Sequence, residues 1–213
     1  MVRTRVGYAG GTTRNPTYHN LGDHSESVEV VYDPSRISYE KLLEIFWASH
    51  DPASHPWSRQ YMVAIFYHDE GQKLLAERTR DRKARRIGRA VHTGILPASV
   101  FTAAEEYHQK FQLRRHPELM KGLLAAYPDP KDLVSSTAAA RLNGYLGGHG
   151  TFAGLTAEID GFRLAPEGRK SLLAIVRGND SRNGRGMKTG AACPGGRGHS
   201  SPASPDMNQE SPR

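Results

Sequence analysis

The sequence predicts an α+β fold: a mixed β-sheet of ferredoxin-like type with packed helices, then a helical C-terminal extension and a disordered tail. Three observations carry this. Short apolar stretches are interleaved with stretches of helical spacing, but without the strict strand–helix rhythm that demands a parallel sheet. The helical pattern takes over in the second half. From Gly178 onward, 16 of the last 36 residues are Gly, Pro or Ser and none is aromatic, so that segment cannot bury enough apolar surface to offset its ordering entropy.

The elements follow in order. Arg3 to Ala9 sets Val6 and Tyr8 against Arg3 and Arg5, the alternation of a strand. Gly10 to Asp23 is loop, broken by Gly-Gly, Asn-Pro and Gly-Asp pairs. Ser25 to Tyr32 is a second strand, with Val28, Val30 and Tyr32 on one face. Ser38 caps a helix that runs to about Ser49 and turns Tyr39, Leu42, Leu43 and Phe46 to the core; Glu40 suits its positive end. Tyr61 to Tyr67 reads as a short buried strand. Asp69 to about Arg85 reads as a charged amphipathic helix with Leu74, Leu75 and Ala76 inward, and Ala90 to Leu96 as a strand. Helices are expected over 103–113, near 117–126, 130–144, 153–161 and 166–176. The chain thus divides into a domain at 1–116, a helical extension packed on it at 117–177, and a tail at 178–213.

Composition narrows the function classes. The chain has 213 residues, 37% hydrophobic and 24% charged, and no run approaches the ~18 apolar residues of a membrane span. One Cys excludes an intramolecular disulfide framework and fits a reducing compartment, so a cytoplasmic monomer is expected. The net charge of +7 gathers partly in Arg78, Arg80, Arg82, Lys83, Arg85, Arg86 and Arg89. No aromatic residue interleaves these bases, so a solvated helix face is expected rather than a nucleic-acid surface. No metal or cofactor motif stands out.

The chemistry-bearing region is the loop Gly7-Tyr8-Ala9-Gly10-Gly11, Asn15-Pro16-Thr17-Tyr18, His24-Ser25-Glu26. Further short blocks follow in order: Val31-Tyr32-Asp33-Pro34, Ile37-Ser38-Tyr39-Glu40, Phe46-Trp47, His50-Asp51-Pro52, Arg59-Gln60-Tyr61, Ala64-Ile65-Phe66-Tyr67 and Ala104-Glu105-Glu106-Tyr107-His108-Gln109-Lys110. This ordered series, from about Arg3 to about His116, resembles the peptide methionine sulfoxide reductase A family.

The resemblance implies reduction of methionine-(S)-sulfoxide, free or in proteins, with thioredoxin, glutaredoxin or glutathione as reductant. A thiolate or selenolate attacks the sulfoxide sulfur, an acid protonates the oxygen, and the resulting sulfenic acid is reduced by a second thiol. Glu26 matches the family's acid and is expected to be kept neutral by burial. Tyr18 and Tyr61 match its hydroxyl donors. Read from the residues alone, Tyr61 is equally a core residue, Tyr18 a loop anchor and Glu26 an exposed carboxylate.

The sequence departs from the family pattern in four places. Tyr18 and Glu26 are only eight residues apart, and Pro56 stands where the family commonly has an Asp, with His55 and Trp57 beside it. In Asn143-Gly144-Tyr145-Leu146-Gly147-Gly148, Leu146 stands where a resolving Cys would be expected. Most important, the Gly-Cys-Phe-Trp-Gly nucleophile segment is absent, and Cys193 sits in the tail without a setting that would activate it. The expectation is an N-terminally incomplete reductase, with Cys or selenocysteine in the absent segment, inactive as it stands. The alternative is an inactive sulfoxide-binding paralogue or fragment.

Overall fold

The computed structural model describes residues 2–56 and 58–186. The α+β class holds, and the strands form two sheets. In the first, β1 (Arg3–Ala9) lies between β2 (Ser25–Val31) and the two-residue β5 (Thr102–Ala103), all antiparallel. In the second, β3 (Ala64–Tyr67) runs parallel to β4 (Gly94–Pro97), joined by the crossover helix α2 (Glu70–Ile87) that parallel pairing requires. Gly7 faces β5 so closely that a Cβ there would lie 2.3 Å from the Thr102 carbonyl oxygen, which excludes every other residue.

Helix α1 (Tyr39–Ala48) is capped by Ser38, whose hydroxyl accepts from the Lys41 N–H at 3.1 Å. It buries Leu43 and Trp47 against Ile65 and Ala76, and the Trp47 indole N–H donates to the Thr79 hydroxyl at 2.9 Å. That bond sets the rotation of α2. Ala76 and Thr79 face inward, whereas Leu74, expected in the core, is 53% exposed. Val28 is 62% exposed on β2, an edge strand of its sheet. The Arg-rich stretch lies on α2 and its exit, where Arg82 pairs with Glu40, Arg80 with Asp81 and Arg89 with Asp51.

The helix expected over 103–113 does not form. The chain gives β5, a 3-10 turn at Glu106–His108 and the single turn α3 (Phe111–Arg114). Gln109 is extended and Lys110 is left-handed (φ 54°), which breaks any helix there. Both side chains bond β1 instead. The Gln109 amide accepts from Val6 N–H at 3.0 Å and donates to Val6 O at 2.8 Å and Ala104 O at 3.1 Å. The Lys110 ammonium donates to the Thr4 carbonyl and, at 3.1 Å, to its hydroxyl.

The C-terminal helices are α4 (Pro117–Ala126), α5 (Pro130–Ser135), α6 (Thr137–Leu146), α7 (Phe152–Glu158) and α8 (Pro166–Gly186), with a 3-10 turn at Ile159–Phe162. The single helix expected over 130–144 divides at Ser136, which caps α6 by accepting from Ala139 N–H at 3.0 Å. These helices enclose the larger apolar cluster, including Leu119, Leu123, Leu142, Leu155, Ile159, Leu172 and Val176. Helices α5 and α6 pack on β1, and the Thr137 hydroxyl donates to Val2 O at 2.7 Å. Residues 178–186 continue α8, so the tail expected from Gly178 begins too early; residues 187–213 lie outside the described residues.

Gln109→Leu is expected to cost about 1–2 kcal/mol, because the half-buried Val6 N–H loses its partner. A urea midpoint that falls at constant slope would show it. Burial lowers the Lys110 ammonium to about 8. The unfolded chain therefore holds more protons than the folded one between about pH 8 and the ordinary lysine value near 10.4, so stability should rise with pH across that window. Denaturation of Lys110→Met over the same range should lack that rise; an unchanged curve would contradict the assignment.

Candidate active site

The loop between β1 and β2 is held from inside. The Asp23 carboxylate accepts from the backbone N–H groups of Thr12 and Thr13 at 2.8–2.9 Å, and from both of their hydroxyls. These donors, Thr13 first, pull its acidity well below the usual carboxylate range. Buried His24 accepts from Gly11 N–H on Nδ1 and contacts Thr13 O through Nε2 at 2.9 Å, so the second nitrogen carries the proton. Arg59 closes the base of the loop, donating to Gly10 O at 2.9 Å and Asp23 O at 3.1 Å.

This packing also docks the segment that carries Tyr61. The Ser25 hydroxyl donates to Arg59 O at 2.7 Å, and Glu26 N–H to Gln60 O at 3.0 Å. The Gln60 side-chain amide then donates to Glu26 Oε1 at 2.7 Å and lies 3.3 Å from the Tyr61 hydroxyl. Tyr61 stands in a turn rather than at the head of a strand, because β3 begins only at Ala64.

Tyr18 is held from the other side. Its N–H donates to Glu105 Oε1 at 3.0 Å, and its ring rests on His108 with centroids 4.7 Å apart. The other oxygen of Glu105 accepts from the Tyr8 hydroxyl at 2.6 Å. Tyr8 is 2% exposed and lies opposite Glu26 in the β1–β2 register, so the two share a face. The bonds from Tyr8 and then Tyr18 pull the Glu105 carboxyl down to about 2.

Gln60 thus links Glu26 to Tyr61, and Tyr18 lies near enough for its phenol to act on that of Tyr61. Removal from water, then the charge of Glu26, then the Tyr18 phenol raise the Tyr61 phenol above its ordinary value. Tyr107 is raised in the same way, by removal from water and then by Glu105 and Tyr18. Such phenols stay protonated and remain donors. Tyr18 and Tyr61 are each 39% exposed. Glu26 is exposed too, which corrects the expectation of burial. Its carboxylate accepts from the polar Gln60, which also contacts Tyr61, and no apolar wall encloses it among the described residues.

The family model described as peptide methionine sulfoxide reductase matches residues 1–139. The chain belongs to that family. A second model, for the helical domain of selenoprotein methionine sulfoxide reductase A, matches residues 129–168, within the run of helices from α5 into α8. A peptide methionine sulfoxide reductase of Drosophila melanogaster is 39% identical over 184 residues, 85% of this chain and 74% of its own. Peptide methionine sulfoxide reductase A5 of rice is 44% identical over 151 residues; the chain spans 59% of that relative's length. Among solved structures, reduced Mxr1 of Saccharomyces cerevisiae aligns with 54% of this chain and 71% of its own at 26% identity, TM-score 0.50. The family reduces methionine sulfoxide, and the chain is an oxidoreductase of this kind by membership.

Tyr8, Gln60 and Glu105 received no role from the sequence, although all three lie inside the blocks that carried the resemblance. Their contacts join residues far apart in the chain, which spacing alone does not reveal. His55 stacks on His92, with centroids 3.6 Å apart, instead of joining the cluster. Trp57 and Cys193 lie outside the described residues. Leu146 is buried at the end of α6, as a packed helix and turn require. A depression of about 1060 Å³, lined by Arg36, Ser136, Thr137 and an Arg141–Glu158 pair, shares no residue with the cluster.

The charge on Asp23 should govern loop order. Its folded acidity is lowered, so its contribution is full above the ordinary Asp value near 4 and disappears as pH falls through the folded value below that. The amide proton shifts of Thr12 and Thr13 are therefore expected to hold steady through about pH 4 and to change only lower. Titration at the ordinary Asp value would refute the bonding described.

Proposed function

We propose that this chain carries the acid and hydroxyl half of a methionine-(S)-sulfoxide reductase site. Glu26 is the proton donor, and Tyr18 and Tyr61 hold the sulfoxide oxygen. The convergence of these three side chains, from separate segments, is the observation that carries the reading. In the reaction, a thiolate or selenolate attacks sulfur, the S–O bond breaks, and methionine leaves as the thioether. The protonated oxygen passes from the substrate sulfur to the nucleophile as the bond between the two breaks, leaving the nucleophile as a sulfenic or selenenic acid. A thiol of the thioredoxin, glutaredoxin or glutathione class displaces that oxygen as water to form a mixed disulfide or selenenyl sulfide, and a second thiol releases the nucleophile as the reductant's own disulfide forms.

The roles follow from what each group can do. The Tyr61 phenol keeps its proton and so can donate to the oxygen as negative charge builds there. Glu26, open to solvent in the free chain, loses water when substrate covers it, and a desolvated carboxyl favours its protonated form. Gln60 holds the carboxyl toward Tyr61. No thiol lies among the described residues, so a second reading remains: the chain binds the sulfoxide without reducing it.

Titration of the 213-residue chain with N-acetyl-methionine-(S)-sulfoxide amide, followed by amide NMR, tests the shared premise. Shifts should cluster at Tyr18, Glu26 and Tyr61, with the R-epimer bound about tenfold more weakly. Tyr61→Phe should weaken S-epimer binding about fivefold, the worth of one hydrogen bond. Equal binding of both epimers would remove the proposal. Turnover with dithiothreitol would exclude a binding module without activity.

A further inference from the structure

The loop Gly10–Asp23 has almost no regular structure of its own; its single bridge joins Thr17 to Asn20. Tyr18, half exposed on that loop, cannot fix its own phenol. Two contacts fix it, both from the segment after β5: the Glu105 carboxylate at its backbone N–H and the His108 ring at its side chain. Glu105 is itself fixed, because its second oxygen accepts from Tyr8, the most deeply buried aromatic residue of β1. Tyr8 lies opposite Glu26 in the sheet register. A single carboxylate therefore ties the loop that carries one site residue to the strand pair that carries another.

We infer that Glu105 is a positioning residue, which holds the Tyr18 hydroxyl where it meets the sulfoxide oxygen and acts through the Tyr18 backbone rather than on substrate. The two donors on its oxygens hold it ionised, so it has no role as an acid. The bridge also sets its length: an Asp is one methylene too short to reach Tyr8 and Tyr18 together. A Gln keeps the shape and the acceptor but lacks the charge that strengthens both bonds.

This inference rests on the reading of the site given above, and its test keeps the two apart. Affinity is measured for N-acetyl-methionine-(S)-sulfoxide amide and for its thioether counterpart, and the preference for sulfoxide is their ratio. General loosening of the fold weakens both ligands and leaves the ratio unchanged. Tyr18→Phe and Glu105→Ala should each lower the ratio about fivefold, and the double variant should lower it no further than either alone. Glu105→Gln should lower it about twofold. A double variant whose losses multiply would overturn the inference, because Glu105 would then act independently of Tyr18.

Should Glu105→Ala fail to fold, the Tyr18 amide proton of Glu105→Gln still decides. It should move upfield as it loses a charged acceptor, and an unchanged position would overturn the inference. If the unaltered chain shows no preference for the sulfoxide, the functional reading falls, together with the substrate half of this inference. The amide shift then reports by itself whether Glu105 holds Tyr18.

Discussion

Strand β1 has only one full-length neighbour, and the rest of the structure depends on how its other edge is satisfied. A buried strand edge without partners leaves backbone N–H and C=O groups unpaired, at a cost comparable to lost hydrogen bonds. The two-residue β5 covers Gly7 and Tyr8. Beyond it side chains take over: Gln109 meets both polar groups of Val6, Lys110 meets Thr4, and Thr137 meets Val2. Holding these side chains against β1 forces segment 104–110 into its irregular path. The same path sets Glu105 beside Tyr8 and His108 beside Tyr18, so the covering of a strand edge and the shaping of a site are one event.

Much of this was legible in the sequence, for reasons that can be named. Helices α1, α2 and α4 carry their own start signals in Ser38, Asp69 and Pro117, and α2 also has its stop in Gly88. The strand pair β1–β2 shows its loop through Gly and Pro. Tyr18, Glu26 and Tyr61 could be chosen because the ordered blocks around them match a known family. Segment 103–113 was misread because Ala, Glu, Tyr and Gln suit a helix locally, and tertiary bonds to β1 outweigh that preference. Leu74 was misread because α2 turns Ala76 and Thr79 inward, where Thr79 accepts from the Trp47 indole, and no apolar pattern in the sequence reveals that polar contact. Glu26 was expected in a dry pocket that none of its described neighbours forms.

The two carboxylates of the site illustrate how environment divides labour between like groups. Glu105 accepts from a phenol and a backbone amide, and those donors keep it charged far into acid. Glu26 has one side-chain donor, the Gln60 amide, and otherwise faces solvent. The first is committed to architecture. The second stands exposed, where an incoming ligand can reach it. The phenols of Tyr61 and Tyr107 are held protonated by removal from water and then by the carboxylates beside them, so the cluster presents O–H groups to whatever approaches.

The larger apolar cluster lies among the C-terminal helices, and none of its residues belongs to the site. Cohesion and chemistry therefore reside in different stretches of the chain. Replacements around Tyr18 or Glu26 remove few buried apolar contacts, whereas replacements at Leu142 or Leu172 leave every site residue in place and weaken the scaffold instead. Heritable change can thus alter recognition at the loop without endangering the fold. Lineages of this chain can drift in specificity along one segment while purifying selection acts on the other.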